Sequence, residues 1–106
     1  MKDFLQQLNK VFDSRLRLGI MSLLMVNNWM SYNELKHSLS TKKEPLSDGN
    51  LASHLKKLRE SEYVEDRKRF VGRKPQTDYQ ATKEGRKAFQ EHLEGLAKML
   101  ENMKND

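Results

Sequence analysis

Residues 47–58 read Ser47-Asp-Gly-Asn-Leu-Ala-Ser-His-Leu-Lys-Lys-Leu58, and their spacing decides the fold. Ser47 offers the hydroxyl of a helix N-cap, and Leu51, Leu55 and Leu58 follow at i, i+4 and i+7, the period of one helix face. The opposite face carries Gly49, Ser53, Lys56 and Lys57, with Asn50 beside them. A helix docked by leucines that turns small, polar and cationic groups outward suits the major groove of DNA, which admits a helix whose backbone approaches closely. Ser47, Asn50, Ser53 and His54 are placed to reach bases or the adjoining backbone. Lys56 and Lys57 suit phosphates, which position a protein without reading sequence. Taken alone, the same pattern also fits a surface helix with solvated lysines. His54, on the flank of the leucine stripe, is open between DNA contact and packing.

The next stretch tips the balance. Tyr63-Val64-Glu65 and Arg69-Phe70-Val71 suit one strand and Thr77 to Ala81 another, with Gly72-Arg-Lys-Pro-Gln76 as a turn-rich tip. From Asp66 to Gln76 five basic residues face one acid, a balance of +4. A solvated loop needs no particular sign of charge, whereas an Arg at a tip can enter the negative potential of a narrow minor groove. Arg73 and Lys74 are the leading contacts, with Arg69 and Gln76 beside them. Strand alternation aims some of the other cations away, and Asp66 is a candidate partner for one.

Working backwards, Ser31-Tyr-Asn-Glu34 is a capping box opening a short helix whose Leu35 and Leu39 face the core. Before it, Leu16, Ile20, Leu23 and Leu24 form one apolar stripe behind a cap at Asp13 or Ser14. Phe4, Leu5, Leu8, Val11 and Phe12 recur at helical spacing and predict an N-terminal helix over residues 1–12. At the other end, Thr82 caps a long helix over 83–104, on which Phe89, Leu93, Leu96, Leu100 and Met103 make a heptad-like seam. That seam extends beyond what so small a core can cover. With Phe4, Leu8 and Phe12 it predicts an isologous dimer interface made by Leu93, Leu96, Leu100 and Met103.

The expected fold is thus mainly α with a small β-hairpin, a single domain over residues 1–106. Leu16-Arg-Leu-Gly-Ile-Met-Ser-Leu-Leu24, Tyr32-Asn-Glu-Leu35, the segment from Leu46 to Leu58, Tyr63-Val64 and Val71-Gly-Arg-Lys-Pro-Gln-Thr-Asp-Tyr79 together resemble winged helix-turn-helix transcriptional regulators of the small MarR/ArsR-like type, over roughly residues 14–95. The resemblance implies a three-helix core, a β-hairpin wing and a homodimer held by terminal helices. It makes residues 47–57 the recognition helix and sets Arg73 and Lys74 on the wing. Three departures stand out. Ser40 replaces a Gly, and Thr41 to Pro45 reads as a five-residue insertion in the turn, which leaves the angle between its two helices in question. Its Lys42 and Lys43 could touch phosphate there or stay solvated, and solvation is the favoured reading. Glu62 stands where a helix-ending Gly is common, and Ala81 where a Leu is usual.

The totals agree with this reading. A chain of 106 residues with 36% hydrophobic and 33% charged residues builds one modest core, and a net charge of +5 favours a polyanionic partner. Without cysteine there is neither disulfide nor thiolate chemistry. Gly19 to Val26 is too short to span a bilayer and there is no secretory leader, so a cytoplasmic location is expected. His37, His54 and His92 fall on different helices with no nucleophile motif, glycine loop or paired carboxylates, so neither an enzyme nor a metal or other cofactor is expected. No residue argues for a small-molecule effector. The expected partner is double-stranded DNA carrying an inverted repeat. The rival is a winged-helix module for protein assembly, which would expose an apolar patch where this chain sets its cations.

Overall fold

A computed structural model of the protein describes residues 2–104. Met1, where the N-terminal helix was expected to begin, lies outside the described residues, as do Asn105 and Asp106. In chain order the elements are α1 (Lys2–Gln7), a 3₁₀ turn (Lys10–Phe12), α2 (Arg15–Val26), β1 (Met30–Ser31), α3 (Tyr32–Leu39), α4 (Asp48–Glu60), β2 (Val64–Val71), β3 (Lys74–Ala81) and α5 (Lys83–Lys104). The strands form an antiparallel sheet in the order β1-β3-β2. No described helix is long and apolar enough to cross a membrane.

Hydroxyl caps start the helices where the sequence places them. Ser14 Oγ accepts from the Arg17 amide, Ser47 Oγ from Asn50, and Thr82 Oγ1 from Gly85. Ser31 and Glu34 close the reciprocal capping box, each side chain accepting from the other's amide at 3.0 and 2.9 Å. Ile20, Met21 and Leu24 of α2, Leu35 of α3 and Leu51, Leu55 and Leu58 of α4 meet in one core. Each such side chain contributes about 1.5–3 kcal/mol by leaving water. α5 is tied to this core by Arg86, whose Nη1 and Nη2 donate to the Met25 and Leu24 carbonyls at the end of α2. Glu62, at φ 65°, takes the left-handed turn that ends α4. A side chain in that region costs about 1 kcal/mol, and here its carbonyl accepts from the Thr82 hydroxyl at 2.7 Å.

Three expectations are corrected. The single N-terminal helix is broken at Asn9, whose Oδ1 accepts from the Val11 amide while its own amide donates to His92 Nδ1 and its Nδ2 to the Tyr63 hydroxyl. The turn that results drops Phe12 into the core, 3% exposed, against Phe89 and Tyr63. Phe12 therefore supports the domain and does not face a partner. The hairpin is longer than expected: β2 runs unbroken through its charged middle, and β3 begins at Lys74, leaving only Gly72 and Arg73 as the turn. Gly72, at φ 65°, supplies the first position of such a two-residue turn. Finally, β1 was not foreseen. Two residues are too short for a period, and its pairing of Met30 with Tyr79 and Ser31 with Asp78 is visible only once β3 is in place.

Candidate nucleic-acid interface

α4 presents its outer face as the leucine spacing requires. Leu51, Leu55 and Leu58 are buried, while Ser47, Asn50, Ser53, Lys56 and Lys57 are exposed. The Ser47 hydroxyl is engaged as the cap. His54 turns inward instead: its Nδ1 lies 2.9 Å from Arg17 Nη1, and Arg17 Nε donates to the Val11 carbonyl. Burial, with the Arg17 charge added, holds the imidazole below its ordinary pKa, so it stays neutral and accepts from the guanidinium. His54, half-buried, thus ties α4 to α2 through Arg17, the packing role that the sequence left open beside DNA contact.

Asp48 sits in the first turn of α4, where sequence reasoning passed over it. Its carboxylate accepts from Lys36 Nζ at 2.8 Å and from the Tyr32 hydroxyl, which also reaches the Asp48 carbonyl at 2.9 Å. The Lys36 hydrogen bond, with its charge, holds this acid below the usual carboxylate range. These contacts also fix how α3 meets α4 despite the five extra residues between them. A carboxylate directly after a Ser cap was the available signal, since both favour a helix N-terminus.

The hairpin sorts its cations through one buried acid. Asp78, 1% exposed on β3, accepts from Arg67 Nε at 3.1 Å, from Arg69 Nε and from Gln76 Nε2 at 2.8 Å. Burial alone would raise its pKa, but the bonds from Arg69, Gln76 and Arg67 outweigh it and hold the carboxyl below its ordinary value. Arg67 also lies over the Trp29 ring, 4.2 Å from its centre. Arg69 and Gln76, expected on DNA, are thus engaged within the hairpin. Asp66 pairs with Arg59 of α4 at 3.1 Å rather than with a hairpin cation. Among the described residues Lys68, Arg73 and Lys74 are exposed and make no ion pair. Asp78 was missed because its role depends on register: it is the direct cross-strand partner of Arg67.

At the far end, α5 leaves the domain. Phe89 is 1% exposed, whereas exposure runs from 40% at Leu96 to 74% at Met103, with Leu93 and Leu100 between. One side of α5 is covered by α1. A Cβ on Gly95 would stand 2.8 Å from the Phe4 carbonyl oxygen, so the two backbones touch, and Lys98 Nζ donates to Gln7 Oε1 at 2.7 Å. Phe4 is buried by this packing and Leu8 half-buried. Of the seam expected to meet a partner, the four α5 residues are exposed together and the N-terminal aromatics are not.

A family described as winged helix DNA-binding domain matches residues 16–100. An uncharacterized protein of Methanocaldococcus jannaschii is 34% identical over 94 residues, which cover 89% of this chain and 97% of that one. Among solved structures, a transcriptional regulator homologue from Pyrococcus horikoshii superposes with a TM-score of 0.79 at 22% identity, covering 96% of this chain and 94% of that one. Bacillus subtilis PadR, solved in complex with operator DNA, superposes with a TM-score of 0.63 at 20% identity over 76% of this chain and 48% of that one. At such identities the likeness of the structures is one of fold.

Proposed function

The chain belongs to the winged helix DNA-binding domain family, and from that premise we propose that it is a homodimeric regulator of transcription that reads an inverted-repeat operator. One observation carries the reading: Asp48, Asp66 and Asp78, acids that lie among the cations of α3, α4 and the hairpin, are each answered by a cation of their own chain. Asp48 is held by Lys36, Asp66 by Arg59, and Asp78 by Arg67 and Arg69. What is left for a partner is Asn50, Ser53, Lys56 and Lys57 on α4 and Lys68, Arg73 and Lys74 on the wing, a surface on which exposed cations predominate. Polyanionic DNA matches it, and a protein-assembly module has no use for it. Asn50 and Ser53 read base edges in the major groove, the lysines of α4 hold phosphates, and Arg73 and Lys74 grip the flanking groove.

A second copy of the chain covers Leu93, Leu96, Leu100 and Met103, because a stripe at alternating spacings of three and four is complementary to itself about a two-fold axis. The pairing sets two α4 helices about one DNA turn, roughly 34–36 Å, apart. Regulation then follows by occluding or recruiting at a promoter.

The test is the salt dependence of binding to a selected duplex. Replacing Arg73 and Lys74 by Ala makes the slope of log K against log salt shallower by about 0.9 for each phosphate contact removed. An unchanged slope removes the wing from the proposal.

A further inference from the structure

The turn between α3 and α4 carries the five residues Thr41 to Pro45 beyond the helix-turn-helix pattern, and the function proposed above gives them no role. The structure shows a built turn. Ser40, at the C-cap of α3, accepts from the Leu46 amide at 3.1 Å, and Leu46 is buried in the core. Within the loop, Thr41 Oγ1 accepts from the Glu44 amide at 2.9 Å and the Thr41 amide donates to the Glu44 carbonyl at 3.2 Å. The one acid of the segment, Glu44, faces Arg15 at the start of α2, 3.8 Å away. These contacts close the loop, and its carboxylate lies within reach of Arg15. Its apex is then Lys42 and Lys43, adjacent, exposed and without an ion-pair partner among the described residues.

Place completes the argument. The loop feeds directly into the first turn of α4, and Thr41, Glu44 and Pro45 line one cleft with Asn50. The two lysines therefore stand at the end of α4 where the chain enters it, whereas the wing follows the end where the chain leaves. A preorganised turn presents its charge with less conformational entropy to lose on binding than a free loop would. We propose that Lys42 and Lys43 hold phosphates on the strand bordering the major groove that receives α4, a third contact on duplex DNA beside the recognition helix and the wing. The inference rests on the DNA reading above.

The experiment compares the full chain, Lys42→Ala/Lys43→Ala, Lys42→Arg/Lys43→Arg, and a control, Lys87→Ala/Lys104→Ala, that removes equal charge from exposed positions of α5. Each is titrated with the duplex selected by the natural chain, over a series of salt concentrations. The loop Ala variant should show a slope shallower by about 1.8 per protomer, with the selected sequence unchanged. The Arg variant should restore the slope and the α5 control should leave it as in the natural chain. A loop variant with the natural slope, or a control that flattens it equally, overturns the proposal while leaving the DNA reading intact. If the natural chain selects no duplex, the DNA reading itself fails and this inference falls with it.

Discussion

Helices α4 and α5 dock on the same core in the same way and leave different faces in water. α4 buries Leu51, Leu55 and Leu58, and its remaining face is polar and cationic. α5 buries Phe89, His92 and Gly95, and its exposed surface past Phe89 includes an apolar stripe of Leu93, Leu96, Leu100 and Met103. The docking stripes account for the fold, and any helix of the domain has one. The leftover faces differ in chemistry, and the function proposed above divides the partners accordingly: a polyanion for the first, a second copy for the second.

The comparison breaks most visibly at α5. Leu96→Glu with Leu100→Glu places charge on the apolar face without touching the core. Light scattering should then give the mass of one chain, and affinity for a two-half-site duplex should fall by about 10²-fold or more as the linked second binding event is lost. A dimeric double variant would show that α4 and α5 are not divided between partners in this way.

The next effect separates support from contact on the wing. Asp78→Ala strands Arg67, Arg69 and Gln76 and should lower stability by about 2–3 kcal/mol in denaturant unfolding, less than the roughly 3–5 kcal/mol for breaking a fully buried pair because both arginines reach water. Asn50→Ala should leave the unfolding curve within about 0.5 kcal/mol of the natural chain. It should instead weaken discrimination at one base position by roughly 1–3 kcal/mol, read by competition between duplexes. Equal losses of stability in the two variants would erase the distinction.

The smallest effect concerns how α1 is held on α5. His92 Nδ1 accepts from the Asn9 amide, and burial, against a lesser opposing pull from Asp13, holds the imidazole below its ordinary pKa. A histidine depressed in the fold gives its full stabilisation above the unfolded value of about 6.5 and loses it as pH falls through the folded value. Amide protection factors over Lys2–Gln7, corrected for the intrinsic pH dependence of exchange, should therefore fall as pH drops from about 7 towards 5, and His92→Gln should remove that step. Protection factors that are flat with pH in the natural chain would contradict the assignment.

How much of this was legible in the sequence depends on the range of each signal. The caps at Ser31, Ser47 and Thr82 and the leucine period of α4 are local, and residues a turn apart suffice to see them. The inward turn of His54 needed Arg17, 37 positions away, and the neutralisation of Arg69 needed the register that faces β2 with β3. Asp78 reads in isolation as an ordinary polar strand residue. The break at Asn9 was hidden because Phe4, Leu8 and Phe12 keep helical spacing across it, while the bonds that enforce it come from Tyr63 and His92.

The most direct test of the central claim is selection of bound duplexes from a random pool at moderate salt, followed by sequencing. The account predicts an enriched inverted repeat whose half-sites lie about 10–10.5 base pairs apart, centre to centre, or a multiple of that. Binding at low salt with no enriched sequence would contradict it, leaving attachment by charge alone and returning the fold to the assembly module as its use.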